Sequence, residues 1–199
     1  MEQFTRRLTA QFDSLWPGEA KRLVLGEGCW EHPRFMLIGE APGEQETLQG
    51  RPFVGKAGKN LDQFLEVVGL KREEIWISNV VKIRPTKTSE KGRVSNRPPS
   101  REERLMFEPY LREEILLVSP RVVVTLGNVA LQALTGGKGT IGEYHGRLCE
   151  AIIATPETSQ TVLHYPLYHP ASVIYNRALK DVYHADLLNL RRLMDEGVI

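Results

Sequence analysis

Four side chains in this sequence could do chemistry together: three stand in or after an apolar run, and the fourth is an aromatic ring in a glycine-rich loop. Glu40 opens the stretch Gly39-Glu40-Ala41-Pro42-Gly43-Glu44-Gln45-Glu46, which closes with Gly50-Arg51-Pro52-Phe53-Val54-Gly55-Lys56-Ala57-Gly58. Glycines there let the backbone turn sharply and approach a ligand, prolines stiffen it, and a carboxylate and an aromatic ring sit where a ligand would dock. Asn79 interrupts an apolar run from Ile75 to Val81. A buried amide needs partners, which either neighbouring backbone or a ligand edge with one donor beside one acceptor can supply. His169, in Tyr168-His169-Pro170-Ala171-Ser172, is either a structural imidazole or a donor to a developing anion, a task it performs charged or neutral.

The elements that must position these residues follow from apolar periodicity. Four runs read as buried strands: Phe35 to Ile38, Ile75 to Val81, Val122 to Leu126, and Thr161 to Leu163 leading into Tyr165, with Glu150 to Ala154 as a candidate fifth. Helical patterns alternate with them at Leu61 to Val68, Arg101 to Val118, Val129 to Leu134 and Ala178 to Met194. Ser100 followed by Glu103 announces the second helix as a capping box. Such alternation implies an α/β fold with parallel strands covered on both faces. Ligands of open α/β sheets bind at the carboxyl ends of the strands, and the loops there hold Glu40, Asn79, Asn128 and His169.

With 199 residues and 41% hydrophobic content, the chain can bury one good core, so a single domain over 1–199 is expected. Cys29 and Cys149 are far apart and show no CxxC spacing, which argues against a disulfide framework and for a reduced, cytoplasmic setting. No apolar leader follows Arg6 and Arg7, and no stretch is long enough to span a bilayer, so no membrane partner is expected. The other histidines, His32, His145, His164 and His184, lack metal-ligand spacing, so no structural zinc is expected. Nucleoside triphosphate binding is disfavoured too. There is no Gly-Lys-Ser/Thr loop and no G-x-G-x-x-G directly after the first strand, and Glu40, Glu44 and Glu46 would repel a polyphosphate.

Formal net charge is only +1, but it is unevenly placed. Lys82 to Arg104 holds eight basic residues against three acids, and its Pro85 to Pro99 portion reads as a loop. It is either a solvated surface loop or a basic loop suited to a phosphate backbone.

Five segments in order resemble the uracil-DNA glycosylase superfamily, and most closely its family 4. They are Gly39-Glu40-Ala41-Pro42-Gly43, Gly50-Arg51-Pro52-Phe53-Val54-Gly55, Ser78-Asn79-Val80-Val81-Lys82, Val124-Thr125-Leu126-Gly127-Asn128 and Tyr168-His169-Pro170-Ala171. The resemblance implies a three-layer α/β sandwich with a central, mainly parallel four-stranded sheet. It also implies a monomeric, monofunctional DNA repair glycosylase acting on uracil-containing DNA, which flips uracil from the stack and hydrolyses its N-glycosidic bond. On that footing Phe53 stacks on the flipped base unless it merely packs in the core, Asn79 reads the uracil edge, and His169 donates to O2. Glu40 positions water and stabilises the sugar cation. Glu46 braces the Phe53 loop, and backbone amides near Ala41 and Gly43 add donors. Lys82, Arg84, Arg97, Pro99, Ser100 and Ser172 are expected to contact DNA, with Val173 or Ile174 as a wedge and Arg177 either reaching the backbone or lying on a helix surface.

The chain departs from family 4 in one respect that bears on cofactors. That family places two cysteines near the N-terminus, a third after the asparagine strand and a fourth in the following helix. Here Gln11 to Gly18 holds none, Ile83 takes the third position and Phe107 the fourth. Cluster ligation needs thiolates, so no iron-sulfur cluster is expected. The basic insertion Thr86 to Pro98 has no histidine, which excludes the covalent chemistry of a related branch. Two other readings stay open: a non-catalytic DNA- or nucleotide-binding protein on this fold, and a glycosylase for another deaminated base such as hypoxanthine.

Overall fold

Alternate residues of the central strands face opposite layers, and this builds the molecule. The computed structural model describes residues 1–16, 21–176 and 178–199. In chain order the elements are α1 (Glu2–Leu15), β1 (Glu27–Gly28), β2 (Phe35–Gly39), α2 (Glu44–Gln49), α3 (Lys56–Val68) and β3 (Trp76–Asn79). There follow β4 (Thr86–Thr88), β5 (Val94–Asn96), α4 (Arg101–Val118), β6 (Val122–Leu126), α5 (Gly127–Thr135), α6 (Ile141–Tyr144), β7 (Cys149–Ala154), β8 (Ser159–Leu167), α7 (Pro170–Tyr175) and α8 (Leu179–Asp195). Met36, Ile38, Trp76 and Val123 pack into one core with α1, α4 and α5, while Phe35, Leu37, Ile77, Val122 and Val124 pack into a second with α3 and α8. A period of two along each strand thus feeds two helical layers.

The sheet has six strands in the order β1-β3-β2-β6-β8-β7, not the expected four. The expected four, β3, β2, β6 and β8, are its parallel centre, and antiparallel β1 and β7 extend the two edges. β1 is two residues long and carries no apolar pattern, which is why it leaves no trace in the sequence. The basic segment also differs from expectation. Instead of an irregular loop it contains the antiparallel hairpin β4–β5, turned at Ser89–Gly92 with Gly92 at φ 76°. Among the described residues no helix is long and apolar enough to cross a membrane.

α4 starts at the capping box: the Glu103 amide donates to Ser100 Oγ at 3.2 Å, and the Ser100 amide donates to Glu103 Oε2 at 2.7 Å. One turn of charge in its interior matters more. Glu114, 1% exposed, accepts from Lys82 Nζ at 2.5 Å, from Trp76 Nε1 at 2.9 Å and from Ser78 Oγ at 3.1 Å. Lys82 Nζ also donates to Ser78 Oγ at 2.6 Å and to the Asn79 carbonyl at 2.7 Å. The assignment of Lys82 to DNA contact is therefore wrong. Its ammonium is fully buried, and all three of its protons are used in clamping the end of β3 to α4.

Breaking that clamp from one side strands a buried charge. Lys82→Met or Glu114→Leu alone should each lower unfolding free energy by about 3–5 kcal/mol, whereas the double replacement should cost much less than the sum. Urea denaturation of the three variants measures this, and additive losses would refute the coupling.

Candidate active site

The carboxyl ends of β2 and β3 lie side by side, with Gly39 in register with Asn79. Gly39 is required there by contact: a side chain would start 2.5 Å from Asn79 Oδ1 and 2.6 Å from the Phe53 ring. The amide of Asn79 and the ring of Phe53 consequently line one cavity of about 450 Å³, together with Ala41, Gly43, Glu46 and His169. No described residue hydrogen-bonds the Asn79 side chain, although the residue is only 3% exposed. A nearly buried amide facing a cavity without a protein partner keeps its hydrogen-bonding capacity for whatever enters that cavity.

Phe53 holds its place against its own backbone preference. It has φ 53°, a conformation that costs a non-glycine residue of order 1–3 kcal/mol and persists only when its surroundings over-determine it. Those surroundings are charged. Glu46 Oε1 accepts from the amides of Val54 at 3.1 Å and Gly55 at 2.7 Å, while Arg72 Nη2 donates to the Phe53 carbonyl at 2.8 Å. Asp62 in turn fixes Arg72 through Nε at 2.8 Å. One oxygen of Glu46 thus braces the loop while the residue also lines the cavity.

His169 sits between this cavity and a second of about 420 Å³, which holds Glu40, Pro42, Asn128, Tyr168 and Ser172. Ala41, Gly43, Asn96, His169 and Ala171 line both, so the two form one cleft. The imidazole is the N-cap of α7, where its Nδ1 accepts from the Ala171 amide at 3.2 Å. Burial holds its pKa below the ordinary value. A neutral ring whose Nδ1 is an acceptor carries its proton on Nε2, so the bond the ring makes behind it sets what it donates in front. Gly127, at φ 83°, leaves room for this ring, since a side chain there would start 3.1 Å from His169 Cβ. Burial pushes the Glu40 carboxyl up, and the nearby Arg104 guanidinium partly opposes this.

The remaining expected residues divide by burial and pairing. Pro99 is buried and so is not presented to DNA as expected, while half-buried Ser100 accepts the α4 cap bond through its hydroxyl oxygen. Arg84 donates to Asn96 Oδ1 at 2.7 Å and pairs with Glu44, and Arg97 makes a two-pronged pair with Glu103 at 2.6 and 2.7 Å. Both are anchors of the hairpin. Ser172 is exposed and Val173 half-buried on α7; Arg177 and the side chain of Ile174 lie outside the described residues. Asn128 accepts from the Ile141 amide at 2.8 Å, which ties α6 to the cleft. Asn96 was not anticipated. It belongs to the basic segment read as a loop, and only the hairpin brings it over both chambers. Tyr168 was likewise missed, although it adjoins His169 in sequence and stacks on His145 with centroids 4.7 Å apart.

Among the described residues no three of His, Cys, Asp and Glu cluster so as to hold a metal ion. The arrangement is an aromatic face, an unpartnered amide and an imidazole donor around one cavity, with a carboxylate next door. It suits a planar heterocycle whose departure leaves negative charge on the ring and positive charge beside Glu40.

Comparison with known proteins agrees with this geometry. The family model described as the uracil DNA glycosylase superfamily matches residues 25–189. The type-4 uracil-DNA glycosylase of Pyrobaculum aerophilum is 36% identical over 171 residues, 84% of this chain and 81% of that protein. That of Sulfurisphaera tokodaii is 34% identical over 171 residues, 85% of this chain and 74% of its own. Among solved structures, the crystal structure of Pedobacter heparinus SMUG2 superposes with a TM-score of 0.54, covering 98% of this chain and 85% of that one; at 14% identity it shows the shared fold. The cleft and these matches together make the chain a member of the uracil-DNA glycosylase superfamily.

Proposed function

We propose that this protein excises uracil from DNA, hydrolysing the N-glycosidic bond of a nucleotide flipped into the cleft and leaving an abasic site. The observation that carries the reading is the unpartnered Asn79 amide beside the Phe53 ring in the cavity that His169 borders. Curated type-4 relatives at 34–36% identity support it.

Asn79 Oδ1 accepts from uracil N3–H while its Nδ2 donates to O4. Cytosine reverses both demands and would leave buried polar groups unpaired, which is costly in a dry site. Phe53 covers the base with its π-face. As the bond to C1′ breaks, electrons flow into the ring, and His169 Nε2–H donates to the O2 that gains charge. Glu40, ionised, faces the sugar cation and orients the water that adds to it. The reaction is monofunctional in this scheme, since water is the nucleophile.

We also infer that no iron-sulfur cluster is held. Ile83 and Phe107 are 1% and 2% exposed and pack in one core with Phe4, Leu8 and Phe12. These side chains offer no thiolate, and the two cysteines, Cys29 and Cys149, lie near opposite edges of the sheet. Their free thiols fit a reducing, cytoplasmic setting.

Three outcomes are expected. Incubation with a uracil-containing oligonucleotide, followed by alkaline cleavage, should show abasic sites, and Asn79→Ala and His169→Ala should each slow single-turnover cleavage by about 10²–10³-fold; no product at stoichiometric protein would overturn the reading, and cleavage of inosine alone would change the substrate. The rate should rise with pH through the Glu40 titration, which burial holds above the ordinary carboxylate value, and then level off, whereas Glu40→Gln should abolish that acid limb. Purified protein should show no iron by elemental analysis and keep its activity after chelator treatment; stoichiometric iron would sink the packing account.

A further inference from the structure

The pairing of Arg84 and Arg97 leaves the three cations of the hairpin between them without work. Lys87, Lys91 and Arg93 are exposed, and among the described residues none of them forms an ion pair with a carboxylate. They occupy a hairpin that is held at its base rather than free to flail. Arg97 donates to the Thr86 carbonyl at 3.0 Å, its amide donates to the Pro85 carbonyl at 3.1 Å, and Arg84 holds Asn96 at 2.7 Å. The turn is tied as well, with the Ser89 amide donating to the Arg93 carbonyl and the Arg93 amide donating to Ser89 Oγ.

Register divides the hairpin into two faces. Lys87 pairs with Ser95 across the ladder, and Ser89 lies opposite Arg93, so Lys87 and Arg93 share one face with Lys91 at the tip. Thr86, Thr88, Val94 and Asn96 share the other, whose Asn96 lines the cleft. Glu90 is the single acid in this stretch. From Asn96 to Lys91 a strand rise of about 3.3 Å per residue gives a reach of roughly 15 Å. At one nucleotide per 3.4 Å of helix axis, that spans roughly four nucleotides of one strand.

We propose that the β4–β5 hairpin is a DNA-backbone arm: Asn96 closes over the flipped nucleotide on one face, while Lys87, Arg93 and Lys91 take phosphates of the flanking strand on the other. This deepens the reading of the cleft as a DNA site and rests on it. The arm supplies affinity and register, not chemistry, because its cations stand away from the residues that face the base. It also explains why the arginines nearest the cleft are neutralised: their charge is used to fix the arm, and the free charge is carried outward.

The test is the salt dependence of binding to a uracil-free duplex, followed by fluorescence anisotropy, for the wild type and for Lys87→Ala/Lys91→Ala/Arg93→Ala. Each lost phosphate contact should reduce the slope of log Kd against log salt by about 0.9, so the triple variant should lose about 2–3 in slope and at least tenfold in affinity near 0.15 M salt. Its single-turnover cleavage rate at saturating protein should match the wild type. The charge-preserving variant Lys87→Arg/Lys91→Arg/Arg93→Lys should restore the slope. An unchanged slope in the alanine variant overturns the arm while leaving the glycosylase reading intact. A fall in the saturating rate with slope unaltered also overturns it, since it would place these residues in the chemistry. A wild type that binds with the full slope but never cleaves uracil removes the proposed reaction and leaves the arm standing.

Discussion

The buried pair of Lys82 and Glu114 is the constraint on which the cleft rests. A lysine and a glutamate out of water would cost several kcal/mol each were they not matched, and here the ammonium finds three acceptors and the carboxylate three donors. The two charges come from different layers, one just beyond the end of β3 and one from the middle of α4, so their union fixes how far the strand end sits from the helix. Because one of the lysine bonds goes to the carbonyl of Asn79, the same pair sets the backbone from which the amide projects. The helix that carries Glu114 also begins beside the cleft, at the Ser100 cap next to Arg97. One ion pair thereby ties the floor of the site to its rim.

The cleft is assembled from strand ends whose side chains are kept apart from solvent by very little protein. The missing side chain of Gly39 leaves the space that the amide and the ring fill, and that of Gly127 leaves room for the imidazole. Above this floor the loop that carries Phe53 is held in a disfavoured conformation by a carboxylate and a guanidinium, each bonded to backbone rather than to the other. Rigidity here comes from saturating main-chain groups. That leaves the Asn79 amide and the His169 Nε2 edge as unspent polarity, which is what a selective pocket needs.

Much of this was legible in the sequence, for reasons that differ by residue. The four central strands announce themselves because they are buried on both faces and so are continuously apolar, and α4 because its capping box is local chemistry. Glu40, Asn79 and His169 stood out as polar residues at the ends of such runs, and Phe53 as the aromatic ring of a glycine- and proline-rich loop. What failed was everything that depends on who sits across the fold. Lys82 looks like a member of a basic segment, and only Glu114, 32 residues away, turns it inward. Arg84 and Arg97 look free until Asn96, Glu44 and Glu103 are placed beside them. The hairpin was unreadable as strands because its three-residue arms bury no face and show no apolar alternation.

The hydrogen bond behind His169 couples the ring to the helix it caps. Since Nδ1 caps α7, the ring faces the cavity with its proton only while the first turn of that helix is wound. The same short helix carries exposed Ser172 at the cleft mouth. The orientation of the imidazole inside the cleft and the winding of a helix at its mouth are therefore one structural variable rather than two.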